Sequence, residues 1–129
     1  MLHVHICDNI GDMRTVNFYR LPNGTSPVEE FLDSLTGKQA QKVLWVLQLI
    51  EELNEIPRQY FKKLVDSEGI WEVRIQFGND IFRLFGFFDG GTLLILTNGF
   101  AKKTQKTPMQ VIALAVRRKE EYLSRRKKS

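Results

Sequence analysis

The stretch GIWEVRIQFGNDIFRLFGFFDGGTLLILTNGFAKK, Gly69 to Lys103, decides the fold. It reads as three strands, Ile70–Phe77, Ile81–Phe88 and Leu93–Phe100. Gly78-Asn79 marks a turn between the first two, and Asp89-Gly90-Gly91 a turn between the second and third. All three are rich in aromatic and branched residues, which suit a pleated, half-buried surface. In the first strand Trp71, Val73, Ile75 and Phe77 share one face, and Glu72, Arg74 and Gln76 share the other. An even-length turn pairs position 77 with 80 and 75 with 82, and so places Arg74 directly opposite Arg83. Two like charges facing each other are unfavourable unless something neutralises them. Glu72 could do so within the sheet, and so could a bound oxyanion, since the planar guanidinium fork suits phosphate. The sequence leaves both readings open.

Outward from this meander the pattern changes period. Arg14 to Leu21 alternates and predicts a further strand in the same sheet, ended by Pro22-Asn23-Gly24. Ser26-Pro27-Val28-Glu29 and Thr36-Gly37-Lys38-Gln39 are helix starts. Each has a capping hydroxyl and a Glu or Gln three residues on that can reach back to the cap. They predict a short helix, Pro27 to Leu35, with Val28, Phe31, Leu32 and Leu35 on one face. A second helix follows from Gly37 to about Glu55, with Ala40, Val43, Leu44, Leu47, Ile50 and Leu53 inward; Pro57 stops it. Thr107-Pro108-Met109-Gln110 opens a third, Pro108 to about Ser124, with Met109, Ile112, Ala113, Val116 and Leu123 inward. Arg58 to Glu68 reads as a polar connection carrying Lys62-Lys63. Residues 1–13 read as a short extra strand or a flexible arm, and residues 125–129 as a basic tail.

This order predicts one α+β domain over residues 1–129: an antiparallel sheet of about four strands, an N-terminal helical hairpin on one face and a C-terminal helix. The chain is short enough for a single core. It holds one cysteine, Cys7, so no intrachain disulfide forms and a reducing cytoplasm is the expected setting. His3 and His5 have no metal-ligand spacing, no cofactor motif is present, and no apolar run is long enough for a bilayer.

The formal charge of +4 hides an asymmetry. Residues 101–129 carry ten Lys and Arg against two acids, net +8, while residues 1–100 are net −4. A basic end on a mildly acidic body suits a phosphate-rich or acidic partner. Lys102-Lys103 closes the third strand and Lys106 precedes the third helix, whose free N–H groups favour anions.

Gly-Ile-Trp-Glu-Val-Arg, Phe-Arg-Leu-Phe and Asn-Gly-Phe-Ala-Lys-Lys-Thr-Gln-Lys-Thr-Pro, taken in order, resemble the phage-derived HigB-like branch of the RelE/ParE toxin superfamily. Pro-Val-Glu-Glu-Phe-Leu-Asp-Ser-Leu resembles the start of that branch's helical hairpin, and the likeness covers about Val16 to Leu123. It implies a small RelE-like toxin held in check by a helix-turn-helix antitoxin. Its RelE-like and HigB-like members cut mRNA on the ribosome without metal, by attack of a ribose 2′-OH on the adjacent phosphate. By position, Arg74 falls on the basic strand residue at the scissile phosphate and Arg83 on the arginine of the next strand. Lys102 and Lys103 fall on the basic pair after the last strand. Glu72, where some members have a lysine, is one candidate base and a lysine of depressed pKa the other; Lys62, Lys63, Lys106, Arg117 and Arg118 are candidate RNA or ribosome contacts. The Tyr or His that some members carry after the last strand has no counterpart among Thr104, Gln105 and Thr107. The same likeness leaves two alternatives: a ParE-like toxin that is no nuclease, and a degenerate binding module of the same fold.

Overall fold

The structure is a computed structural model, and it describes residues 14–102 and 108–128. Its elements run β1 (Thr15–Phe18), α1 (Pro27–Asp33), α2 (Gly37–Glu52), β2 (Phe61–Lys63), β3 (Trp71–Phe77), β4 (Asp80–Asp89), β5 (Leu93–Lys102) and α3 (Met109–Lys128). The fold is mixed α and β, with a five-stranded sheet in the order β1-β5-β4-β3-β2. β2 to β5 pair antiparallel, whereas β1 runs parallel to β5. Two expectations are thereby corrected. The sheet is larger than about four strands, because Phe61–Lys63 joins its edge from within the stretch read as a connection; three residues are too few to show a period. It is also not wholly antiparallel, since the chain passes through α1, α2 and β2 to β4 before β5 comes back beside β1 in the same direction.

The two helix starts form as their residues dictate. Ser26 Oγ accepts from Glu29 N at 3.1 Å ahead of Pro27. Thr36 and Gln39 close a reciprocal capping box at 3.2 and 3.0 Å. α2 ends at Glu52, three residues short of the expected Glu55, where Arg14 takes over its last carbonyls. The guanidinium donates to Leu53 O at 2.7 Å and Asn54 O at 2.9 Å, supplying the cation that a helix C-terminus favours.

The sheet is covered on both faces. Val28 of α1 and Val43, Val46, Leu47 and Ile50 of α2 pack on Val73, Ile75, Phe82, Leu84, Leu94 and Leu96. Ala115 of α3, with Val111, Val116 and Tyr122, packs on the other face against Ile70, Phe85, Phe87 and Ile95. The helix stripes are rotated from those expected. Leu44 and Leu53 are exposed, and Val46 takes the inward place. On α3 Met109 and Ala113 are exposed and Ala115 is buried. In both helices the core lies on a narrower face than the count of apolar residues suggested. α3 also continues through Lys128, so residues 125–128 are helical rather than a separate tail. The reading of residues 1–13 and the cap at Thr107 lie outside the described residues.

A bulge interrupts the β4–β5 ladder. Phe85 pairs with Asn98 but Gly86 pairs with Leu96, which leaves Thr97 as an extra residue. Beyond it, Gly99 lies under the Phe31 ring, where an added Cβ would come within 2.5 Å of the ring. Among the described residues no helix is long and apolar enough to cross a membrane.

Candidate functional site

The two-residue turn at Gly78-Asn79, with Gly78 at φ +61, joins β3 to β4 in the even register. Arg74 therefore pairs with Arg83, as the spacing required. Since cross-strand partners share a face, the ladder lays rows across the side of the sheet that α3 covers. One row is Lys62–Glu72–Phe85–Asn98 and the next is Arg74–Arg83–Phe100. A third begins Gln76–Ile81 and meets the register position of Lys102. β2 thus does what a loop could not: it fixes Lys62 directly opposite Glu72.

Of the two ways to neutralise the facing arginines, the structure contains the internal one. Arg83 Nη1 donates to Glu72 Oε2 in a salt bridge along the diagonal of the ladder, and both residues are buried. Arg83 Nε is buried without a hydrogen-bond partner among the described residues. A buried donor of this kind costs about 1–3 kcal/mol if it stays unsatisfied. Arg74 is only half-buried, and among the described residues its side chain enters no ion pair. Its backbone N–H donates to Tyr60 O at 2.8 Å, which continues the pairing toward β2. With Glu72 spent on Arg83, Arg74 and the half-buried Lys62 are cations of this face without an ion pair among the described residues. Such a face can bind an anion. Arginine cannot transfer a proton, so any acid–base step falls to other groups.

The remaining candidates separate. Lys63 and Arg117 are exposed. Arg118, half-buried, bonds within the fold: Nη1 donates to Thr97 O at 3.0 Å and the guanidinium lies 5.9 Å from the centre of the Tyr19 ring. Burial, partly offset by Tyr19, pulls its pKa below the ordinary arginine value. Lys102 is placed by register alone, opposite Ile81, and Lys103 and Lys106 lie outside the described residues. Among the described residues no three His, Cys, Asp or Glu side chains are grouped to hold a metal. A groove of about 470 Å³ along β1, walled in part by Arg20, Glu29 and Tyr122, lies at the opposite edge of the sheet and contains none of the candidates.

Sequence reasoning missed Lys62 as a member of the arginine face and Arg118 as a half-buried hydrogen-bond donor to the sheet. The first had a signal in Tyr60-Phe61, an aromatic pair that wants a sheet to pack on. The second had none, because an arginine in a basic helix reads as surface.

Against the curated proteins the chain finds no match. The model of one family, phage derived protein Gp49-like (DUF891), matches residues 30–120. That span runs from α1 through the strands to the middle of α3 and includes Lys62, Glu72, Arg74 and Arg83. The chain belongs to the phage-derived Gp49-like family, part of the RelE/HigB-like group associated with toxins of toxin–antitoxin systems.

Proposed function

We propose that this protein is the toxin of a toxin–antitoxin pair and cuts mRNA on the ribosome in the cytoplasm. The observation that carries the reading is the Arg74–Arg83 pairing on one face, with Lys62 beside it, in a chain of a toxin-associated family. In the proposed reaction a ribose 2′-oxygen attacks the adjacent phosphorus. The bond from phosphorus to the 5′-oxygen breaks, leaving a 2′,3′-cyclic phosphate and a 5′-hydroxyl. The 2′-OH proton passes to a base and the leaving oxygen takes a proton from an acid. No metal or cofactor enters this scheme. Arg74 binds the phosphate oxygens and opposes the charge that builds on them. Arg83, neutralised by Glu72, fixes the strand pairing that presents Arg74 to the phosphate. In this reading Glu72, the carboxylate paired with Arg83, takes the 2′-OH proton, and Lys102 and Lys103 add phosphate contacts. Lys62, Lys63, Lys106 and Arg117 steer the ribosome-bound message through diffuse phosphate contacts. The restraining partner is a helix-turn-helix antitoxin whose acidic segment covers the basic face.

The test is primer extension on cellular mRNA after induction of the chain, beside an Arg74→Ala control. New 5′ ends that appear with the wild type and vanish with the variant support the reading. One observation favours a second reading. Arg83 and Glu72 are buried and form an ion pair with each other, as a purely structural pair would. A ParE-like toxin without nuclease activity, or a binding module of the same fold, would arrest growth or bind its antitoxin while leaving mRNA intact.

A further inference from the structure

We propose that Arg118 is a positioning residue for the arginine face: it holds the Thr97 bulge and so sets which face the last third of β5 presents. The proposal rests on the functional reading above for its activity readout, but its structural part stands alone.

The ladder carries the argument. On the turn side of the bulge Phe87 pairs with Ile95 and Gly86 with Leu96. Continued without the extra residue, that register would set Phe85 against Thr97 and Arg83 against Gly99. A one-residue slip moves every following side chain to the opposite face of the sheet. Phe100 would then face α1 and α2. With Thr97 looped out, Arg83 meets Phe100 instead, and Phe100 packs on the α3 side with Phe85. The bulge therefore decides whether the end of β5 joins the two arginines.

Thr97 is fully buried, and as the extra residue of the bulge it stands outside the regular pairing of the ladder. Arg118 Nη1 donates to its carbonyl at 3.0 Å. The Thr97 hydroxyl lies 3.1 Å from Phe85 O, and Asn98 Nδ2 donates to Val111 O at 3.4 Å, so the neighbouring polar groups are also engaged. Tyr19, on the far side, gives the guanidinium a ring face to rest on. Arg118 is thus half-buried for a reason other than charge: it reaches from α3 to the irregular point of the sheet.

The experiment reads register and cleavage separately. Cross-strand NOEs in the 15.0 kDa chain report the two halves of the ladder, Leu84 with Gly99 beyond the bulge and Phe88 with Leu94 before it. In Arg118→Ala the first contact should weaken or shift to Leu84 with Asn98, while the second persists. Ribosome-dependent cleavage should fall about 10- to 100-fold in kcat with KM little changed, the scale of a misplacement of about 1 Å. Arg118→Lys, which keeps a donor, should recover part of both. Tyr19→Phe, which keeps the ring, should leave register and cleavage as they are. Unchanged contacts beyond the bulge in Arg118→Ala, or equal loss in both halves, overturns the proposal. Where Arg118→Ala does not fold, Arg118→Gln is read by the same two contacts. A wild-type chain that cuts no RNA overturns the functional reading and leaves the NOEs to decide the register.

Discussion

Glu72 and Arg83 neutralise each other inside the protein, with only 2% and 6% of their surfaces exposed. Arg83 thus has two tasks that a single substitution cannot separate. Arg83→Ala leaves a buried carboxylate without its partner and should cost about 3–5 kcal/mol in urea unfolding. Replacing both residues with leucine should cost much less, because the penalty lies in the stranded charge. Lost cleavage in Arg83→Ala alone therefore says little about chemistry.

Arg74 is the cleaner probe. It is half-buried and among the described residues has no ion-pair partner to strand. Arg74→Ala should change stability by no more than about 0.5 kcal/mol. It should lower mRNA cleavage by at least about 10²-fold, the effect of removing one preorganised charge stabiliser. A normal cleavage pattern in this variant would favour the non-nuclease reading.

Gly99 tests how closely α1 rides on the sheet. A Cβ there would come within 2.5 Å of the Phe31 ring, so Gly99→Ala should cost about 1–3 kcal/mol through overpacking. Phe31→Leu in the same chain should recover part of that loss. A double-mutant cycle measures the coupling, and strict additivity would place the strain elsewhere.

The rotated stripe of α2 makes a paired prediction. Leu47, 5% exposed, should cost about 2–5 kcal/mol as Leu47→Ala. Leu44, three residues earlier and 50% exposed, should cost less than about 0.5 kcal/mol as Leu44→Ala. Chemical denaturation of the two variants side by side settles the face.

Stability should fall at alkaline pH, and Tyr19 is a specific cause. Burial first, then the hydrogen bond to Glu121 at 2.6 Å, hold its phenol above the ordinary pKa of 10.0. The native state favours the neutral form. The contribution is therefore complete below the unfolded pKa and is lost as pH rises through the native one. Urea midpoints measured from roughly pH 9 upward should drop more steeply for the wild type than for Tyr19→Phe.

The elements that were legible in the sequence are those whose signals are local. The Gly78-Asn79 turn fixed the Arg74–Arg83 register, and the Ser26 and Thr36 caps fixed two helix starts. What escaped depends on contacts distant in the chain. β2 is a strand only because β3 offers an edge, and its three residues carry no period of their own. Glu72 looked like a residue of an open polar face because nothing near it announces that α3 will cover that face. The bulge at Thr97 is likewise written in Arg118, twenty-one positions away.

The parallel pairing of β1 with β5 bears on how the chain folds as it is made. Arg74 and Arg83 meet across a tight hairpin, a closure over nine residues that can form early. Thr15 must wait for Leu93, seventy-eight residues later, and such long-range pairing is slow. During synthesis the arginine hairpin therefore exists before the edge strand has anything to join. Until β5 emerges, Val16 and Phe18 lack their ladder partners Leu94 and Leu96, and it is this late-forming seam that holds the nascent chain back from its final state.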